Sequence, residues 1–223
     1  MKTNSQIRKE ALSLMKGNWG TGICILLIIL VLSYVYSSLT NILSIVFAAA
    51  FITSPLILLT VDLLLILISG IFILGPFNLG IAIAYLHLVR DTQKFTVVSI
   101  FSAFSAKYYL KSVGLQFLTV IYTLLWTLLL YVPGIIKVIS YTFAPYILAD
   151  NPELTANEAI EQSMKMTYGH KMNLFLIGLG MFGLMLLSAL LLFIPLLWIT
   201  PYYQAVIAKY YEEVKCNNET SCQ

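Results

Sequence analysis

The chain has 223 residues, of which 60% are hydrophobic and 10% charged, and it carries a net charge of +3. Soluble domains carry about 25% charged residues, and a soluble protein this apolar would expose patches large enough to aggregate. The basic residues are too dispersed to form a phosphate-binding cluster, so composition excludes both an ordinary soluble domain and a nucleic-acid partner.

No charge lies between Lys16 and Asp62, between Lys111 and Lys137, or between Lys171 and Lys209. Each run exceeds the roughly 20 residues that carry a helix across about 30 Å of hydrocarbon. Helix is the required form, because backbone amides in lipid must be satisfied within their own segment. The runs also lack the alternation of a membrane strand. The expected fold is an all-α integral membrane protein of six spans in three hairpins, at about 20–39, 57–88, 109–131, 134–149, 173–193 and 196–212. Residues 1–19 then form a cytoplasmic interfacial helix, 20–212 the membrane domain and 213–223 a cytoplasmic tail.

In chain order, Met1–Lys16 is long and polar for a signal-peptide n-region, and no small-residue cleavage site follows the first apolar run, so that span is expected to be retained. Ile42–Val89 could hold one crossing or two. A single crossing puts Lys2, Arg8, Lys9 and Lys16 on the same side as Arg90, Lys94, Lys107 and Lys111, as the positive-inside tendency requires. Ile42–Thr53 is therefore expected to be an outer interfacial or re-entrant segment, with both termini cytoplasmic in a plasma membrane. Every Lys and Arg except Lys137 then lies near a cytoplasmic end.

Asp62 and Lys137 are the full charges inside expected spans, each about one turn from the outer interface. A charge within the bilayer costs a few kcal/mol unless paired or functional. The two are expected to pair, or to share a polar cavity with Ser69, Ser140 and Tyr141; the alternative is that Lys137 snorkels to water. Span two is interrupted by Gly75-Pro76-Phe77-Asn78-Leu79-Gly80. Such breaks either form transporter sites, with Asn78 as the coordinating candidate, or are proline kinks in which Gly80 and Ala84 allow close helix contact. Asp62, Asn78 and Lys137 together make the candidate intramembrane polar site.

Three amphipathic segments, about 5–16, 98–108 and 155–168, each precede an odd-numbered span. Two end alike, in Leu14-Met15-Lys16-Gly17-Asn18-Trp19 and Met166-Thr167-Tyr168-Gly169-His170-Lys171. A unit of interfacial helix plus hairpin, used three times, would explain this. The third segment opens with a capping box, Thr155 and Glu158, and aligns Ile160, Met164 and Tyr168 on one face. That face is expected to lie on the membrane lipids, or to dock a protein partner at the cytoplasmic side.

Pro145-Tyr146-Ile147-Leu148-Ala149-Asp150-Asn151-Pro152-Glu153-Leu154, followed by Glu158-Ala159-Ile160 and Ser163, resembles a bacterial membrane-protein family known as a domain of unknown function, number nine-seven-five. Arg8, Ala11, Leu14, Lys16-Gly17-Asn18-Trp19, Pro201-Tyr202, Ala208 and Tyr210-Tyr211 look like that family too. The resemblance implies a bacterial plasma-membrane protein and supplies no mechanism. It also implies a distant likeness to the membrane region of some glycerophosphodiester phosphodiesterases, for whose soluble catalytic domain this sequence has no room.

No zinc-protease, nucleophile-elbow or phosphate-loop pattern occurs, and His87 and His170 are the only histidines. No catalytic residue, metal site or cofactor is expected. Cys24 reads as a small packing residue, and Cys216 and Cys222 as thiols in a reducing compartment. The reading favoured by these residues is a non-enzymatic accessory, assembly or immunity-like factor working through lipid or protein contacts. The alternative is a small transporter or channel using Asp62, Asn78 and Lys137. A lipid-modifying enzyme is the third reading.

Overall fold

The computed structural model describes residues 2–51, 54–90, 95–191 and 193–220. These are helical almost throughout, with no strand among them: α1 (Asn4–Met15), α2 (Trp19–Phe51), α3 (Pro55–Phe72), α4 (Leu74–Arg90), a 3-10 helix (Val97–Phe104), α5 (Tyr109–Leu129), α6 (Tyr131–Tyr141), α7 (Ala144–Asp150), α8 (Ala156–Thr167), α9 (Lys171–Leu190) and α10 (Leu196–Thr220).

Among the described residues, five stretches are long and apolar enough to cross a membrane: Trp19–Val46, Leu59–Arg90, Tyr109–Leu129, Val132–Asp150 and Lys171–Ala189. The expected sixth crossing lies in α10, which is not among them because its second half carries Lys209, Glu212, Glu213 and Lys215. Exposed apolar side chains such as Val31, Ile45, Leu64, Leu128 and Leu186 cover the outside of these helices. In water that surface would aggregate; against hydrocarbon it is stable.

One boundary is corrected. Ile42–Phe51 is not a separate interfacial element but the continuation of α2; Ile52 and Thr53 lie outside the described residues. No Gly or Pro occurs between Gly22 and Pro55, so nothing in that stretch stops the helix. The break in the second expected span falls at Ile73, between α3 and α4. Pro76 has no N–H to give Phe72, so the regular ladder fails there.

Each of the three amphipathic segments buries part of its apolar face within the bundle, while Leu12, Val98, Phe101 and Tyr168 stay exposed. Their buried residues dock on protein: the 3-10 helix and α8 fold back against the helices that precede them, and α1 lies along α10. The 3-10 helix runs antiparallel to α4, where Phe95 meets Tyr85 with ring centroids 5.1 Å apart and Phe104 meets Phe77 at 4.9 Å. Between them, the backbone carbonyl of Ile100 presses on Gly80, where a Cβ would have no room. α8 folds back along α6 and α7, and buries Ala159, Ile160, Ser163 and Thr167. α1 closes the circle by lying along α10, its Ile7, Ala11 and Met15 fully buried.

α1 and α8 are local copies. Each opens on a capping box, Thr3 with Gln6 and Thr155 with Glu158. Each runs 12 residues and turns on a left-handed glycine, Gly17 at φ 87° and Gly169 at φ 82°. Glycine alone takes that conformation without steric cost, which explains the similar hexapeptides at the two ends.

Candidate functional site

The helices α4, α7 and α10 form the centre of the bundle, and a cavity of about 330 Å³ opens between them, α5 and α6. Several uncharged polar side chains are set into its otherwise apolar wall. Asn78 Nδ2 donates to Gln116 Oε1 at 3.0 Å, and the Tyr146 hydroxyl donates to Gln204 Oε1 at 3.4 Å. Ser112, Thr119, Thr123, Tyr141, Thr142 and Tyr203 complete the polar lining. Both helix breaks border this space: Gly75 beside the Ile73 joint, and Pro145 below the joint between α6 and α7.

The second break is stitched by a side chain from α8. Pro145 cannot donate to the carbonyl of Tyr141, and α7 starts anew at Ala144. Ser163 Oγ donates to the Ser140 carbonyl at 2.7 Å and accepts from the Phe143 N–H at 3.2 Å. Buried backbone groups left unpaired would each cost about 1–3 kcal/mol, so α8 holds the joint in its bent form.

A charged clasp lies beyond Tyr146, outside the cavity's lining. The Arg90 guanidinium donates to both Asp150 oxygens, at 2.6 and 2.7 Å, and its Nε donates to Glu212 at 2.6 Å. Lys215 Nζ donates to Asp150 at 2.7 Å, and the Tyr211 hydroxyl at 2.9 Å. Two cations meet two carboxylates, so the cluster is neutral as a whole. Asp150 is the hub, with a side chain only 6% exposed. Above it Tyr146 stacks on Tyr211, centroids 5.5 Å apart, separating the clasp from the cavity. A bidentate Arg–carboxylate pair fixes geometry as well as charge, and here it ties the ends of α4, α7 and α10 together.

The three residues expected to form one polar site are lodged in three places. Only Asn78 lines the central cavity. Asp62 accepts a hydrogen bond from the Ser44 hydroxyl, in a groove between α2 and α3. Lys137 sits over the Trp126 ring, 4.7 Å from its centroid, with its Nζ 3.5 Å from Met164 Sδ. The expected Asp62–Lys137 pair is thus replaced by local partners on separate helices. Ser140 and Tyr141 are buried near α8 and α5, and the side chain of Ser69 lies outside those described.

The expected contact face on α8 is also corrected. Ile160 is buried and Met164 is packed against the core, so that surface is already occupied by α5, α6 and α7. Tyr168 lies past the end of α8, in extended backbone, and is 81% exposed. Cys24 is exposed rather than packed, and Cys222 lies outside the described residues. No group of three or more His, Cys, Asp or Glu with metal-site geometry occurs among the described residues.

Among the described residues the fold is all-helical, with five stretches long and apolar enough to cross a bilayer, as in a membrane protein. The chain belongs to the family described as "Protein of unknown function (DUF975)", whose model matches residues 1–144 and 129–218. No curated protein and no solved structure matches it. The quoted run from Pro145 to Ser163 now has physical content: Asp150 is the hub of the clasp, Thr155 and Glu158 cap α8, and Ser163 stitches the proline joint.

Proposed function

We propose that this chain is a six-span plasma-membrane protein with both termini in the cytoplasm, which binds and passes a small uncharged polar solute through its central cavity without transforming it. The carrying observation is the cavity itself: about 330 Å³, near the middle of the Leu59–Arg90 stretch, walled by Asn78, Gln116, Tyr146 and Gln204. Amides and hydroxyls offer donors and acceptors without charge, which suits a neutral hydrogen-bonding ligand. An enzyme would need convergent titratable groups, and the titratable side chains on this wall are the tyrosines Tyr141, Tyr146 and Tyr203.

The topology is supported by the pairing of α1 with α10. Lys2 lies 2.7 Å from Glu10 and 3.8 Å from Glu213, so both ends of the chain meet at one end of the bundle. An even number of crossings has that consequence, and the basic residues of that end face the cytoplasm by the positive-inside tendency. The accessory reading rests on sparse intramembrane polarity and on lipid or protein contacts; of its candidate contact face, Ile160 and Met164 pack into the bundle and Tyr168 stays exposed.

The test is aqueous access to single cysteines at Asn78 and Gln116, in protein lacking Cys24, Cys216 and Cys222 and held in native membranes. Labelling by a membrane-impermeant maleimide at both positions is the expected result. Protection at both, with labelling retained at the exposed Val98→Cys control, returns the bundle to a packed contact protein.

A further inference from the structure

We propose a second site, independent of the central cavity: the groove between α2 and α3 binds one amphiphile whose cationic head pairs with Asp62. The groove encloses about 330 Å³. Along α2, Ser37, Thr40, Asn41 and Ser44 follow at three- and four-residue spacing, which places them on one face. Ser44 donates to Asp62 across the groove, while Ile29, Ile66 and Phe77 make its other end apolar.

Charge decides the occupant. Among the described residues, Asp62 takes part in no ion pair, and its described hydrogen-bond partner is the Ser44 hydroxyl. A carboxylate in a groove whose walls are partly apolar favours a counter-charge. Depth agrees with this assignment. From Trp19 to Ser44 an α-helix rises about 38 Å, beyond the roughly 30 Å of hydrocarbon, so Asp62 stands at headgroup level on the far side. From there the groove descends toward Phe77 over about 22 Å of α3 and α4. A charged head above and an aliphatic chain below match this order of surfaces. A sulfate or phosphate head would meet like charge, and a chainless cation would leave the apolar end empty.

The measurement uses the full chain in zwitterionic nanodiscs, cysteine-free except for Ser37→Cys, whose maleimide labelling rate reports occupancy. Dodecylammonium, at trace mole fraction, is expected to slow labelling about fivefold relative to dodecanol, the scale of one partly exposed ion pair. Dodecyl sulfate should give no protection, and Asp62→Asn should erase the difference between dodecylammonium and dodecanol, while Asp62→Glu keeps it. Equal protection by all three amphiphiles, protection by ethylammonium alone, or an unchanged preference in Asp62→Asn would overturn the proposal. If Asp62→Asn fails to fold, the ranking of the three amphiphiles on the parent protein still decides.

Discussion

Gly80 shows how a single missing Cβ fixes the course of the chain. The Ile100 carbonyl occupies the space where that atom would stand, and backbone, unlike a long side chain, cannot swing aside cheaply. Gly80→Ala is therefore expected to push the 3-10 helix off α4, with a loss on the order of 2 kcal/mol, typical of overpacking. Gly178, whose surroundings are open, is the control: Gly178→Ala should leave the detergent melting temperature unchanged or raise it, because alanine is the better helix former. The sequence pointed to Gly80 as a close-contact residue, but not to what it contacts. Periodicity reports which face is small, never which partner fills it. Arg90 carried even less signal, since a basic residue ending an apolar run reads as an interface anchor. Its pairing with Asp150 spans 60 positions, and no local pattern announces a contact at that distance.

At the scale of elements, the long apolar helices were legible because hydrocarbon imposes length and continuity on them. α5 and α9 fall within a few residues of the expected spans. The short amphipathic helices were legible as helices, through Thr155, Glu158 and their apolar stripe, and misread in part as to environment. An apolar stripe is the same whether lipid or protein covers it. What distinguishes α8 is the small and hydroxylated part of its buried face, Ala159, Ser163 and Thr167, which fits a protein joint better than acyl chains. Ser163→Ala tests this. It leaves the Ser140 carbonyl with the more distant Thr167 hydroxyl, at 3.4 Å, and the Phe143 N–H loses its described partner. A loss of about 1–3 kcal/mol is expected, and hydrogen exchange at Phe143 should rise before exchange at Leu115 on α5. Exchange that is unchanged at Phe143 would mean the joint does not depend on α8.

Across the whole molecule, each short helix is covered by the helix before it, and α1, which has none, takes α10 instead. The chain thereby closes on itself through its two ends, and the seam is polar. Glu10 accepts from Lys2 at 2.8 Å and lies 3.3 Å from Lys209, and Lys2 also faces Glu213. The Lys2 ammonium, and to a lesser degree that of Lys209, holds the Glu10 carboxyl below its usual range. Glu10 in turn raises Lys2. A carboxyl depressed by folding stabilises the folded state above its unfolded value, and that contribution is lost as pH falls through the lower folded value. The raised lysine retains its contribution throughout this range, since its loss requires strongly alkaline pH. Acidification below the ordinary carboxylate range should therefore loosen α1 from α10 while the apolar contacts of Ile7, Ala11 and Met15 persist. Glu10 is about a third exposed, so screening by solvent limits the effect to about 1 kcal/mol or less. Hydrogen exchange at Ile7 and Ala11, corrected for intrinsic rates, should rise on acidification in the parent protein. In Glu10→Gln it should start higher and respond less to pH. Equal pH responses in the two proteins would place the seam's stability in its apolar face alone.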